Sequence, residues 1–303
     1  MTSESVIGIK MTGANGAEFD LVNGTEGVML ADGMKGVELP DFKFIESKSA
    51  RAPGRRVHGV QWEKADLVLP VHVGDTWNSR PDGLFRRGVQ WLALDRTFKG
   101  AALPTAQTIV TVTTDAGART YRGRLEDLED NTEGSLLRDI RGLATYDLTL
   151  GADLPFWQGT PVVYDFPYTT STADNYYGPT NSAPPLYISK GNVLASAVVL
   201  NPGTVEAYPT WTITGPAQAT VGVGDHLTYV TGLSSGQQVT IVTDPNSMDV
   251  RDENGDRAWS LIGSYDFAGI EPGESSNISA RIVGGGAGAN IRMTLTPNYL
   301  SWY

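Results

Sequence analysis

GNVLASAVVLNPGTVEAYPTWTITGP, residues 191–216, decides how the chain is read. Val193 to Leu200 is an apolar run. Asn201-Pro202-Gly203 follows as a turn, because Pro fixes φ and Gly tolerates positive φ. Thr210-Trp211-Thr212-Ile213-Thr214 then alternates polar and apolar residues, as a half-buried strand does, and Gly215-Pro216 closes it. The stretch reads as two strands forming the first hairpin of a second domain, residues 191–303.

The rest of the chain fits a mainly β protein. Its 303 residues suffice for two cores, and its 35 Gly and 17 Pro suit many short strands and turns. The net charge is −11, unevenly spread: residues 156–303 hold 5 Lys and Arg against 12 Asp and Glu, a charge of −7. So few cations leave little to neutralise phosphates, which argues against specific nucleic-acid binding. No cysteine is present, so disulfides and thiolate metal sites are excluded. The first residues carry no signal-peptide pattern, and no apolar run is long enough to span a membrane. Without secretion, the glycosylation patterns at Asn23 and Asn277 read as chance matches.

The first domain, residues 1–157, opens with short strands joined at Asn15-Gly16 and Asn23-Gly24. Phe42 and Phe44 alternate, and Trp62 closes an irregular segment holding the one cationic cluster, Lys48, Arg51, Arg55 and Arg56 about Pro53-Gly54. That cluster reads as a solvated hairpin tip or a protein–protein contact rather than a nucleic-acid site, since no aromatics are interleaved to stack on bases. Leu67, Leu69, Val71 and Val73 share one face of a strand. Pro70 removes a ladder donor and places that strand at an edge or bulge. Pro81 to Leu94 is the segment with helical spacing. Thr108–Thr114 and Ala118–Leu125 form a hairpin, the acidic run Leu125 to Glu133 looks exposed, and Ala144 to Leu150 make a long strand. Residues 158–190, rich in Pro, Ser, Thr and Tyr, read as a connector or extended arm whose aromatics pack on something. The second domain continues as strands at sandwich spacing, with a turn at Asn254-Gly255 and a glycine run at Gly284–Gly288.

Candidate chemistry is sparse. His58, His72 and His226 have no metal or triad spacing. Glu126-Asp127 and Glu129-Asp130 belong to an unbroken acidic run, which is usually a solvated face. Asp252-Glu253-Asn254-Gly255-Asp256 fails the calcium-loop spacing, because the required Gly would fall at Arg257. The glycine run lacks the helix a phosphate loop needs. Trp211 and Trp259 are read either as core or as sugar-stacking residues. The expectation is a protein with no cofactor, metal or catalytic activity.

Asn201-Pro202-Gly203, a short acidic segment, Tyr208-Pro209 and then Trp211-Thr212-Ile213-Thr214-Gly215 resemble the C-terminal domain of phage distal tail proteins, the Dit or siphovirus tail-component family, in its actinobacterial-phage form. Ala152-Asp153-Leu154-Pro155-Phe156-Trp157 matches the close of that family's first domain. The resemblance implies two β-sandwich-like domains. The first carries one α-helix and an extended hairpin arm, here Phe42 to Trp62. The second is galectin-like or carbohydrate-module-like.

It also implies a structural virion protein at the tip of a long non-contractile tail. There it forms a ring, usually a hexamer, that connects the tail tube protein to the tail-tip proteins. The subunit-interface candidates are Phe42, Phe44, Lys48, Arg51, Arg55, Arg56 and Trp62, with the first domain holding the ring. The alternative is a carbohydrate-binding protein that attaches to host cell-wall glycan.

Overall fold

The computed structural model describes residues 6–48, 53–76, 78–81, 83–132, 142–168 and 194–303. The chain divides into two compact units, Met1–Thr160 with Tyr299–Tyr303, and Pro161–Asn298.

In the first unit the strands are β1 (Val6–Thr12), β2 (Glu18–Asp20), β3 (Val28–Leu30), β4 (Phe42–Ser47), β5 (Arg56–Trp62), β6 (Asp66–Gly74), β7 (Thr108–Thr114), β8 (Gly117–Asp130), β9 (Leu143–Ala152) and β10 (Trp157–Gln158). Seven of them follow the order β2-β1-β7-β8-β9-β6-β3. The sheet curls until its ends nearly meet: Leu21 N–H donates to Ile9 O at 2.9 Å, and Leu30 N–H to Leu21 O at 2.8 Å. This near-barrel covers strand edges that would otherwise stand open. Alternation supplies its interior, with Leu67, Leu69, Val71 and Val73 from β6 and Ala144, Tyr146, Leu148 and Leu150 from β9 all buried.

Helix α1 (Val89–Ala101) buries Trp91, Leu94, Phe98 and Ala101, a face spaced three and four apart. The sequence placed the helix at residues 81–94, about two turns too early. Val89 is 83% exposed, and Gly83 and Gly88 hold positive φ (72° and 52°). Arg86 N–H donates to Asp75 Oδ2 at 2.5 Å, so the segment before Val89 is fixed by a side chain rather than by helical bonds.

The acidic run after Leu125 belongs to a strand: β8 continues through Asp130, with a bulge between Leu125 and Asp127, its carboxylates exposed as expected and Leu128 packed on the core. One other reading shifts. Pro70 lies one strand in from the end of the order, opposite Asp147 of β9. Its carbonyl accepts from Ala31 just past β3, so its missing donor faces the side where β3 has run out.

The second unit has β11 (Val162–Pro167), β12 (Leu194–Leu200), β13 (Pro209–Thr214), β14 (Ala217–Val223), β15 (His226–Leu233), β16 (Gln238–Val242), β17 (Asp249–Asp252), β18 (Ile262–Ser264), β19 (Ser275–Val283) and β20 (Asn290–Leu295). They form two five-stranded sheets, β11-β20-β13-β16-β17 and β12-β19-β14-β15-β18. Inward residues of both, among them Trp211, Ile213, Val221, Val230, Ile241, Ile278 and Met293, make one core, so the unit is a sandwich.

The expected opening hairpin is absent: β12 pairs with β19 and β13 with β16 and β20, in different sheets. Buried Asn201 explains the crossing. Its Nδ2 donates to Val205 O (2.9 Å) and Ile270 O (2.8 Å), and its Oδ1 accepts from Gly203 N–H (2.9 Å), which pins residues 201–205 as a passage between sheets. Val162–Pro167, read from sequence as connector, is an edge strand paired with β20 along its whole length. Residues 169–193 lie outside the described part, as do Tyr176, Tyr177 and Tyr187.

Candidate functional site

Strands β4 and β5 pair with each other, Phe42 opposite Trp62 and Phe44 opposite Val60, and with no other described strand. This two-stranded ribbon is apolar on its open surface. Phe42, Phe44, Ile45, Val57 and Val60 are all exposed, Ile45 by 54%. Aromatic contacts stiffen its base: Phe42 meets Phe44 at 5.2 Å and Trp62 at 5.8 Å, and Trp62 meets Phe156 at 5.7 Å. A two-stranded ribbon is at best marginal in water, and exposed apolar side chains grouped this way mark a contact surface.

The cations expected to face a neighbouring subunit behave differently from one another. Lys48 and Arg55 both pair with Glu46 on the ribbon itself, at 3.3 and 2.7 Å. The Arg55 guanidinium also lies 4.7 Å over the Phe44 ring. Among the described residues Arg56 has no ion-pair partner, and Arg51 lies outside them. Glu126 of β8 pairs with Lys64, just past β5. The structure thus brings Phe42, Phe44, Arg55, Arg56 and Trp62 onto one ribbon, with Phe42 and Phe44 in the open surface, Trp62 half-buried at the base and part of the charge already compensated.

In the second unit Trp211 is buried in the core, out of reach of any ligand. Trp259 is half-buried and begins an aromatic row missed in the sequence: Tyr265 packs edge-on to it at 5.7 Å and stacks with Phe267 at 5.4 Å. The signal was the alternation Tyr265-Asp266-Phe267, which puts both rings on one side.

The histidines sit apart, His58 against Ser47 Oγ (2.7 Å), His72 against Thr145 Oγ1 (2.9 Å) and His226 against Asp266 Oδ2 (3.0 Å). Asp252 Oδ1 accepts from Asn254 and Asp256 N–H, both at 2.9 Å, and so caps its own turn about Gly255. Among the described residues no three His, Asp or Glu side chains converge on a metal position.

No sequence-family profile matches the chain. Minor tail protein Gp27 of Mycobacterium phage D29 is 24% identical over 228 residues, covering 69% of this chain and 62% of that protein. The namesake from Mycobacterium phage L5 is 24% identical over 230 residues with the same coverage. The chain is similar to phage minor tail proteins. It spans 62% of the length of these curated relatives. Among solved structures it shares the fold of SPP1 Dit (gp 19.1), described as a paradigm of the hub adsorption apparatus in phages infecting Gram-positive hosts. The TM-score is 0.58 at 14% identity, over 96% of this chain and 98% of that one. A chain of the phage P2 baseplate in its activated conformation with calcium matches with TM-score 0.54 at 14% identity, over 96% and 97%. The sequence likeness is thus to phage minor tail proteins, and the fold is shared with SPP1 Dit and the phage P2 baseplate chain.

Proposed function

We propose that the protein is a structural, non-enzymatic component of a phage tail, placed at the tail tip, where copies close into a ring between the tail tube and the tip proteins. The observation that carries this reading is the β4–β5 ribbon: a strand pair with aromatic and aliphatic side chains in water needs a covering surface, and a second copy of the chain supplies one. The likeness to tail and baseplate proteins extends over nearly the whole chain, which favours a virion setting over an isolated binding module.

A head-to-tail contact, ribbon onto a different face of the next copy, closes into a ring when the rotation per copy divides the circle. Six copies is the number the family resemblance implies. Each contact must bury at least about 1,000 Å² to be stable. The first unit is expected to supply it, because the second holds 5 Lys and Arg against 12 Asp and Glu and its copies repel one another.

The assignment is tested on purified virions. Antibody against the chain, viewed by electron microscopy, should label the tail end away from the head. Labelling of the head, or absence of the chain from virion protein, would refute it.

A further inference from the structure

We propose that Asn254 is a site of spontaneous covalent modification, where the main chain converts the side-chain amide to aspartate and isoaspartate, and that the fold holds the two other Asn-Gly pairs back from the same reaction. Asn-Gly occurs at residues 15–16, 23–24 and 254–255. Gly suits the step because no Cβ shields its nitrogen from the amide carbon one residue before it. The three pairs share this chemistry, so what separates them is how the structure holds each side chain.

Asn15 is tied at both ends of its amide. Its Nδ2 donates to Thr97 O and its Oδ1 accepts from Ala17 N–H, both at 3.0 Å. Asn23 Nδ2 donates to the Asp20 carboxylate at 2.7 Å, and the buried Gly24 is hemmed in by Met29 and Thr76. Asn254 is exposed, and its side-chain amide has no partner among the described residues. Open space surrounds Gly255, where a Cβ would meet nothing within 4 Å. Each glycine N–H closes a turn, Gly16 to Gly13 O at 2.9 Å, Gly24 to Asp20 O at 2.8 Å and Gly255 to Asp252 O at 3.1 Å, so the bond to be given up is longest at Gly255. Arg251 Nη1 donates to Gly255 O at 2.7 Å, which sets a positive charge beside the nitrogen that must lose its proton.

In the reaction Gly255 N gives its proton to water and attacks Asn254 Cγ. The N–Cγ bond forms, the Cγ–Nδ2 bond breaks, and Nδ2 takes up a proton from water and leaves as ammonia. Water then adds to either carbonyl of the cyclic imide. One opening leaves aspartate at position 254. The other leaves isoaspartate, whose main chain runs through the side-chain carboxyl carbon. The sum is amide plus water giving acid plus ammonia, with no oxidant or reductant. Either product adds a carboxylate beside Asp252, Glu253 and Asp256 in a chain already at −11. Isoaspartate also lengthens a turn whose bonds, Asp252 N–H to Asp256 O and the N–H groups of residues 254 and 256 to Asp252 Oδ1, all at 2.9 Å, are set for ordinary spacing. Nothing in the step restores the amide, so molecules carry the change in proportion to their age. The inference stands apart from the tail reading, since it concerns the single chain.

The test follows the full chain, folded, at mildly alkaline pH, with a parallel sample in urea. Digested aliquots are mapped by mass spectrometry, and isoaspartyl groups are counted by methyl transfer from an isoaspartyl methyltransferase. In the folded chain Asn254 should convert at least about tenfold faster than Asn15 or Asn23, because those amides must first give up side-chain hydrogen bonds. In urea the three rates should draw together. Asn254→Gln should remove the isoaspartyl signal of the folded chain. The proposal is overturned if Asn15 or Asn23 converts as fast as Asn254 in the folded chain, if Asn254 keeps its amide there while losing it in urea, or if the gap between the sites is the same in urea, which would make local sequence rather than the fold its cause.

Discussion

Arg86 grips the carboxylate of Asp75 from its side chain and its main chain at once. Its Nε lies 2.8 and 2.9 Å from the two oxygens and its backbone N–H 2.5 Å from Oδ2, while the Asp75 side chain has no exposed surface. The pair ties the segment before α1 to the end of β6. Burial alone would raise the Asp75 carboxyl, but the bonds from Arg86 outweigh it and hold the group below the usual 3.8.

Because the folded value is depressed, the pair's stability is fully present above the unfolded value of 3.8 and is lost as pH falls through the folded one. Asp75→Asn should destabilise the protein by about 3 kcal/mol at neutral pH, as expected for breaking a buried pair. In urea melts the gap between wild type and variant should narrow only below the usual Asp range. A gap independent of pH would contradict the assignment.

Tyr146 Oη donates to Asp95 Oδ1 at 2.7 Å, and Lys99 Nζ lies 2.9 Å from Asp95 Oδ2 beneath the same helix. Tyr146→Phe removes one partner of a buried carboxylate and should cost about 1–2 kcal/mol. Thermal unfolding monitored by circular dichroism reads this directly, and an unchanged melting temperature would count against the bond.

The last residues belong to the first unit. Trp302 N–H donates to Val37 O at 3.3 Å, Arg119 lies 3.9 Å over the Tyr299 ring, and an Arg119 guanidinium nitrogen donates to Ser301 O at 3.2 Å. Trp302→Ala should therefore destabilise the first unit, by about 1–2 kcal/mol for a half-buried ring. Hydrogen exchange at Lys35 and Val68, which bond each other nearby, should accelerate. Protection unchanged there would show that the tail contributes nothing.

Much of the strand pattern was legible because alternation writes itself into sequence, as in Leu67 to Val73 and Thr108 to Thr114. What was not legible depended on distant partners. Nothing local in Leu194–Leu200 or Pro209–Thr214 says that each pairs with a different sheet; the buried amide of Asn201 and its bond to Ile270 decide it. The helix start was misplaced because Asp75, eleven residues back, takes the Arg86 N–H. At the ribbon, the sequence singled out the cations, yet Glu46 compensates Lys48 and Arg55 locally. Tyr265 was passed over because spacing alone does not show that a ring remains open to solvent.

That local compensation orders the expected effects on self-association. Exposed ion pairs contribute about 0–1 kcal/mol, so Arg55→Glu should weaken assembly less than Phe44→Ala, which removes apolar contact area. Sedimentation equilibrium on both variants checks the order. A larger effect at Arg55 would return the charges to the centre of the contact.

The ribbon as a contact between copies is tested most directly by placing a photo-cross-linking amino acid at position 44 of the full chain and irradiating it. The account predicts a ladder of chain multimers that stops at a fixed closed number, with the linked peptide lying in the first unit of another copy. Monomer alone after irradiation, or links only within one chain, would contradict it.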